Sequence, residues 1–206
     1  MKKKISILLP YKENFSPVYP GAVSLFVNDT SLLSKYKSNI TVYGSTKYKK
    51  IFNINYCNID LKKKIISSQS KEYVKSFIKF EKLNSSDLIE IHNRPNYLKF
   101  LEKKLNKRNF TLFFHNDPLS MEGSKLIEDR KYLLKTCYRI IFNSNWSKKR
   151  FLEGLDNQFI NSEKLLVFFQ SAKKSSIKIL KNKQKWITFV GKLNRAKATI
   201  FLPTLL

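Results

Sequence analysis

Short apolar runs of six or seven residues alternate with longer segments of helical period along the chain, and this alternation limits the fold more than any other feature. Strand and helix signals in alternation predict βαβ units and a mostly parallel sheet with helices on both faces, an α/β Rossmann-like architecture. The predicted strands are KISILLP (4–10), NITVYGS (39–45), KIFNINY (50–56), DLIEIHN (87–93), FTLFFHN (110–116), RIIFNS (139–144), KLLVFF (164–169) and WITFVG (186–191). Helices are expected near 21–36, 69–83, 95–107, 122–136 and 145–154.

Several junctions carry matching punctuation. Asp87 opens a strand after the break at Asn84–Ser86, Ser144 or Asn145 is placed to cap the helix that follows, and Gly154 stands where that helix should stop. The polar stretch 170–176 (QSAKKSS) breaks the pattern and marks a boundary between a Rossmann-like domain, 1–170, and a linker with the start of a second domain, 171–206.

The apolar content, 42%, is enough for a core. A net charge of +25 raises the question of an anionic partner such as a membrane surface or phosphate. All but six of the 40 basic residues are lysines spread over the whole length, beside much Asn, Ile and Phe, which is also how a biased coding composition looks. No zinc-finger, basic-zipper or RNA-binding aromatic motif is present, so no nucleic acid is expected. The opening MKKKISILLPYKENF imitates a signal peptide, but its apolar run stops at Pro10 and is followed by Lys12 and Glu13, so it is read as a first strand. No apolar stretch approaches the roughly 20 residues that span a bilayer. Cys57 and Cys137 fall in no metal or redox spacing and are expected to be reduced thiols of a cytoplasmic protein.

In an open parallel sheet, ligands bind beyond the carboxyl ends of the strands. Polar residues collect there: Tyr11 and Lys12, Gly44 and Ser45, His92 to Arg94, and His115 to Asp117. The chain has two histidines, and each ends a predicted strand on the same rim. Imidazole is the side chain best able to donate or accept a hydrogen bond near neutral pH, which makes His92 and His115 candidates for site lining. Asp117-Pro118 also fits a turn in which Asp117 caps the following residues, and Pro20-Gly21 fits a plain turn that starts a helix.

The order of these signals resembles the family-4 glycosyltransferases, which have the two-domain GT-B architecture. The segments that carry the likeness are a first strand followed by VYPGAVSLF, then DLIEIHNRP, FFHNDPLSM, RIIFNSNWSKKRFLEGL and FVGKLNRAK. The resemblance implies transfer of a sugar from a nucleotide-sugar co-substrate to a glycan or lipid acceptor, with no metal and no other cofactor. It implies that His115 bonds to the transferred sugar, that His92 also faces the cleft, and that Asp117 holds its loop or meets the acceptor. Gly21 matches the family's glycine turn, where backbone amides at a helix start approach substrate. Lys192 and Lys197 match the basic residues that contact the donor diphosphate and offset charge on the leaving group.

The family continues beyond Lys197 with most of a donor-binding domain and a pair of glutamates; this sequence reads ATIFLPTLL there. The expectation is a truncated chain, through a frameshift or premature stop, with an inactive or incomplete enzyme of cell-surface polysaccharide assembly, cytoplasmic and possible at the inner face of the membrane. Two other readings stay open: a non-catalytic domain that binds an anionic glycan or membrane surface, and a basic nucleic-acid-binding protein.

Overall fold

A computed structural model describes residues 3–61, 68–160 and 162–170, within the first of two units, Met1–Ser171, into which the chain divides. Seven strands, β1 (Ile5–Leu8), β2 (Ile40–Gly44), β3 (Tyr56–Asn58), β4 (Leu88–His92), β5 (Asn109–Phe114), β6 (Arg139–Phe142) and β7 (Leu165–Val167), form one sheet in the order β3-β2-β1-β4-β5-β6-β7. Every pairing is parallel. The helices are α1 (Ala22–Leu33), α2 (Gln69–Asn84), α3 (Leu98–Lys104), α4 (Ile127–Thr136) and α5 (Asn145–Leu152). The fold is the α/β Rossmann-like one that the alternation predicts.

Because side chains alternate along a strand, each face of the sheet needs its own cover. Ile7, Leu9, Ile40 and Val42 pack with Val23 and Val27 of α1 on one face. Leu8, Ile89, Ile91, Leu112, Phe114, Ile140 and Phe142 face the other way, against Tyr73 and Phe77 of α2, Leu98 and Leu101 of α3, Leu133 of α4 and Phe151 of α5. Each large apolar side chain buried in this way contributes roughly 1.5–3 kcal/mol. The run after the initial lysines is β1, central in the sheet, as a strand buried on both faces must be.

Three predicted boundaries move. The segment 50–55 is irregular and the strand there is only Tyr56–Asn58, although Ile51, Phe52 and Ile54 still pack on the α1-side core. Alternating apolar residues therefore line a loop that wraps the sheet edge. Residues 95–97 are a single 3-10 turn ahead of α3. α4 starts at Ile127, because Gly123 sits at φ +90° and the buried Ser124 hydroxyl donates to the Pro118 carbonyl at 2.6 Å, which fixes a compact loop before it. The predicted strand 186–191, Lys192, Lys197 and the predicted linker lie outside the described residues.

The N-terminal cap of α5 is Ser144, whose hydroxyl accepts from the Ser147 amide at 3.1 Å, and Gly154 takes the left-handed conformation, φ +74°, just past its end. Strand order reverses between β1 and β4: the chain builds outward to β3 from one and outward to β7 from the other. Such a switch point opens a crevice at the carboxyl ends of the two strands.

Candidate functional site

His92 ends β4 and His115 follows β5 by one residue, both on the α1 side of the sheet. The register sets His92 beside Phe113, and two residues further on the same face is His115. The two rings meet: His92 Nδ1 lies 2.9 Å from His115 Nε2. Phe113 stacks on His92 with centroids 4.6 Å apart, and Phe26 of α1 presents its edge to His115 at 5.0 Å. His92 is 1% exposed. On its far side, His92 Nε2 faces the Glu90 carboxylate at 3.8 Å, and the outer nitrogen of His115, Nδ1, receives the Gln170 side-chain amide nitrogen at 2.5 Å.

Burial, and then the charge of the neighbouring imidazole, push the His115 pKa down to about 3. His115 is therefore neutral through the physiological range, where it can accept or donate but carries no charge.

The backbone of His115 is held from two directions. Its amide donates to the Asn93 side-chain oxygen at 2.7 Å, and its carbonyl accepts from the Asn143 side chain at 2.8 Å. Asn93 reaches this position with a left-handed backbone, φ +52°, and donates its own amide to Phe113. Asn143 is steadied in turn by the Ser147 hydroxyl at 2.9 Å. Two short amides thus fix a residue at a strand end that would otherwise move with its loop.

Asp117 lies on this loop with its carboxylate engaged inside the chain. It accepts from the Leu119 amide at 3.0 Å and pairs with both Nε and Nη2 of Arg150 on α5, at 3.4 and 3.3 Å. The geometry ties the loop after β5 to the scaffold. Gly21 precedes α1, in an extended conformation any residue can adopt (φ −86°, ψ 167°). The Ser24 amide in the first turn of α1 donates to Glu13 at 3.0 Å, so the chain supplies its own anion to the positive helix end. A Cβ at Gly21 would stand 2.0 Å from that carboxylate oxygen. Gly21→Ala should displace Glu13 and cost about 1 kcal/mol, the usual value of a lost cap, read as a lower urea midpoint at unchanged slope; an unaltered midpoint would show that Glu13 does not act as the cap.

Asn93 stands among the polar rim residues of the sequence, whereas Glu90, Asn143, Glu13 and Gln170 are neighbours of the site that the sequence did not mark. Glu90 had a signal: it stands two before His92, and period two puts both on one face. Among the described residues no group of three or more His, Cys, Asp or Glu side chains is placed to hold a metal ion. Cys57 and Cys137 are free thiols, and burial pushes Cys137 up to about 12.

No protein-family model and no curated protein matches this chain. Solved structures do. It is similar to HepE from Anabaena, crystallised with UDP and glucose, at 15% identity and a TM-score of 0.55 over 81% of this chain and 44% of that one. A glycosyltransferase from Rickettsia africae gives 15% identity and 0.54 over 82% and 44%, and a UDP-N-acetylglucosamine 2-epimerase gives 9% and 0.51 over 81% and 48%. The chain spans less than half the length of these structures, and what it shares with them is the fold.

Proposed function

We propose that this chain forms the acceptor-side part of a glycosyltransferase of GT-B architecture, resembling family 4. It would take part in moving a sugar from a nucleotide-sugar co-substrate to a cell-surface glycan or lipid acceptor, on the cytoplasmic side of the membrane. The observation that carries this reading is the meeting of both imidazoles across the carboxyl ends of β4 and β5, against α1 and next to the β1/β4 switch point. HepE, which has the same fold over this region, was crystallised with UDP and glucose. In this reading His115 bonds to the transferred sugar, His92 backs it, Asp117 holds the adjoining loop, and the Gly21 turn lets the backbone amides at the start of α1 approach substrate in place of Glu13. Lys192 and Lys197 would meet the donor diphosphate. No resident metal or cofactor is proposed. A peripheral membrane contact is part of this reading; no helix among the described residues is long and apolar enough to cross a membrane.

The test is a transfer assay of the full chain with UDP-, GDP- and ADP-sugars, paired with calorimetric titration of the same compounds. Turnover or sugar binding that disappears in His115→Ala is the expected result. Salt-sensitive binding to anionic vesicles with no response to any sugar nucleotide would favour a surface-binding domain instead. Preference for DNA or RNA over both would overturn each of these.

A further inference from the structure

The four side chains Glu90, His92, His115 and Gln170 form one file from the α1 face of the sheet to its rim, with successive separations of 3.8, 2.9 and 2.5 Å. We infer that Glu90 and His92 are positioning residues that hold His115 in a single neutral tautomer, protonated on Nε2 and bare on Nδ1, so that the rim receives a neutral hydrogen-bond donor, an O–H or N–H group, and refuses phosphodiester, nucleotide-sugar diphosphate and carboxylate oxygens. This deepens the sugar-transfer reading and rests on it for the identity of the donor group, a sugar hydroxyl. The tautomer itself does not rest on that reading.

The direction of the file is set at its inner end. Glu90 opens into a cleft of about 390 Å³ walled by Ile5, Ile7, Phe26, Phe113 and Phe168. A carboxylate that lies 3.8 Å from an imidazole nitrogen attracts an N–H and repels a lone pair, and with His92 itself buried that preference acts at short range, although Thr30, Ser31, Ser34 and Tyr36 also line the cleft. His92 Nε2, which has no partner within hydrogen-bonding distance among the described residues, therefore carries the proton. At pH 8, where an imidazole is ordinarily neutral, each ring has one N–H. It follows that His92 Nδ1 is bare and accepts from His115 Nε2–H, and that His115 Nδ1 is bare in turn. The group observed on that nitrogen agrees: it is the amide nitrogen of Gln170, a donor, three residues past the end of β7. Gln170 stands in for the O–H or N–H of a ligand.

An oxygen of a phosphodiester or of a nucleotide-sugar diphosphate has no proton to offer at neutral pH, so it would need His115 as a cation or in the opposite tautomer. Both are opposed here. Protonation at Nδ1 is disfavoured by burial and by the second imidazole, with the His115 pKa at about 3, and the opposite tautomer would turn a lone pair of His92 toward Glu90. The two asparagines hold the His115 backbone from either side, and the ring is kept in the file by its contacts with His92, Gln170 and Phe26.

Nitrogen-15 spectra of the histidine side chains of the full chain test this without any sugar nucleotide. The expected result at pH 8 is one pyridine-type Nδ1 and one pyrrole-type Nε2 on His115. In Glu90→Leu, which suits the apolar cleft, the single-tautomer signature should be lost toward an averaged pair. His92→Phe should do the same. Titration with dimethyl phosphate, a diester anion with no proton to give, should leave the His115 signals unmoved. A protonated Nδ1 on His115 in the wild type overturns the proposal, as does a signature unchanged in both variants or a conversion to imidazolium by dimethyl phosphate. A chain with the expected tautomer and no response to sugar nucleotides would sink the transfer reading alone; a chain that transfers sugar with the other tautomer would sink the relay alone.

Discussion

Glu81→Ala should lower the unfolding free energy by about 3–5 kcal/mol, the cost of stripping a buried charged network of one member. Glu81 is on the last turn of α2 and fully buried. One carboxylate oxygen accepts from the Ser6 hydroxyl of β1 at 2.6 Å; the other accepts from the amide and hydroxyl of Ser86, at 2.7 and 2.6 Å, just before β4. Arg108 brings its Nε to 3.6 Å. Alanine leaves these donors buried with their acceptor gone, whereas Glu81→Gln keeps an acceptor toward Ser86 and should cost far less. The carboxylate links β1 and β4 at their amino ends, and these are the two strands whose carboxyl ends open the crevice. Urea midpoints of the two variants check this; a loss under about 1 kcal/mol in Glu81→Ala would show that the network adds little.

The second large effect is on pH. An unfolded histidine titrates near 6.5 and His115 in the fold near 3. Above pH 6.5 both states leave it neutral and it contributes nothing to the pH dependence. Below 6.5 the unfolded chain binds a proton that the folded chain refuses, so stability falls with pH at up to about 1.4 kcal/mol per unit until His115 itself protonates near 3. Between pH 6.5 and 5 the loss comes to about 2 kcal/mol. Chemical denaturation at pH 7, 6 and 5 should show this slope in the wild type and lose it in His115→Asn, where nothing at that position titrates. Equal slopes in both would mean that the ring is not kept neutral by its burial.

Much of the fold was legible because parallel strands buried on both faces must be short and apolar, and the helices between them carry their own caps, as Ser144 and Gly154 show. The edge strand was not. KIFNINY alternates like a strand, yet Ile51, Phe52 and Ile54 are drawn in by the α1-side core without joining the ladder, and period two does not distinguish those outcomes.

At the site, the sequence placed both histidines on one rim, since each ends an apolar run. Their contact depends on which residue of β4 lies beside Phe113, a long-range register that no local pattern encodes. The same holds for Glu13, eight residues from Gly21, whose carboxylate occupies the helix start that the glycine seemed to keep open. Gln170 was read as the first residue of a boundary segment; its amide closes the file on His115.

The account stands on the contact between two rings whose residues are 23 apart in sequence. A crystal structure of the full chain measures it most directly. The prediction is His92 Nδ1 and His115 Nε2 at hydrogen-bonding distance, with Phe26 of α1 edge-on to His115. Imidazoles on opposite faces of the sheet, or parted by a displaced β4–β5 register, would contradict it.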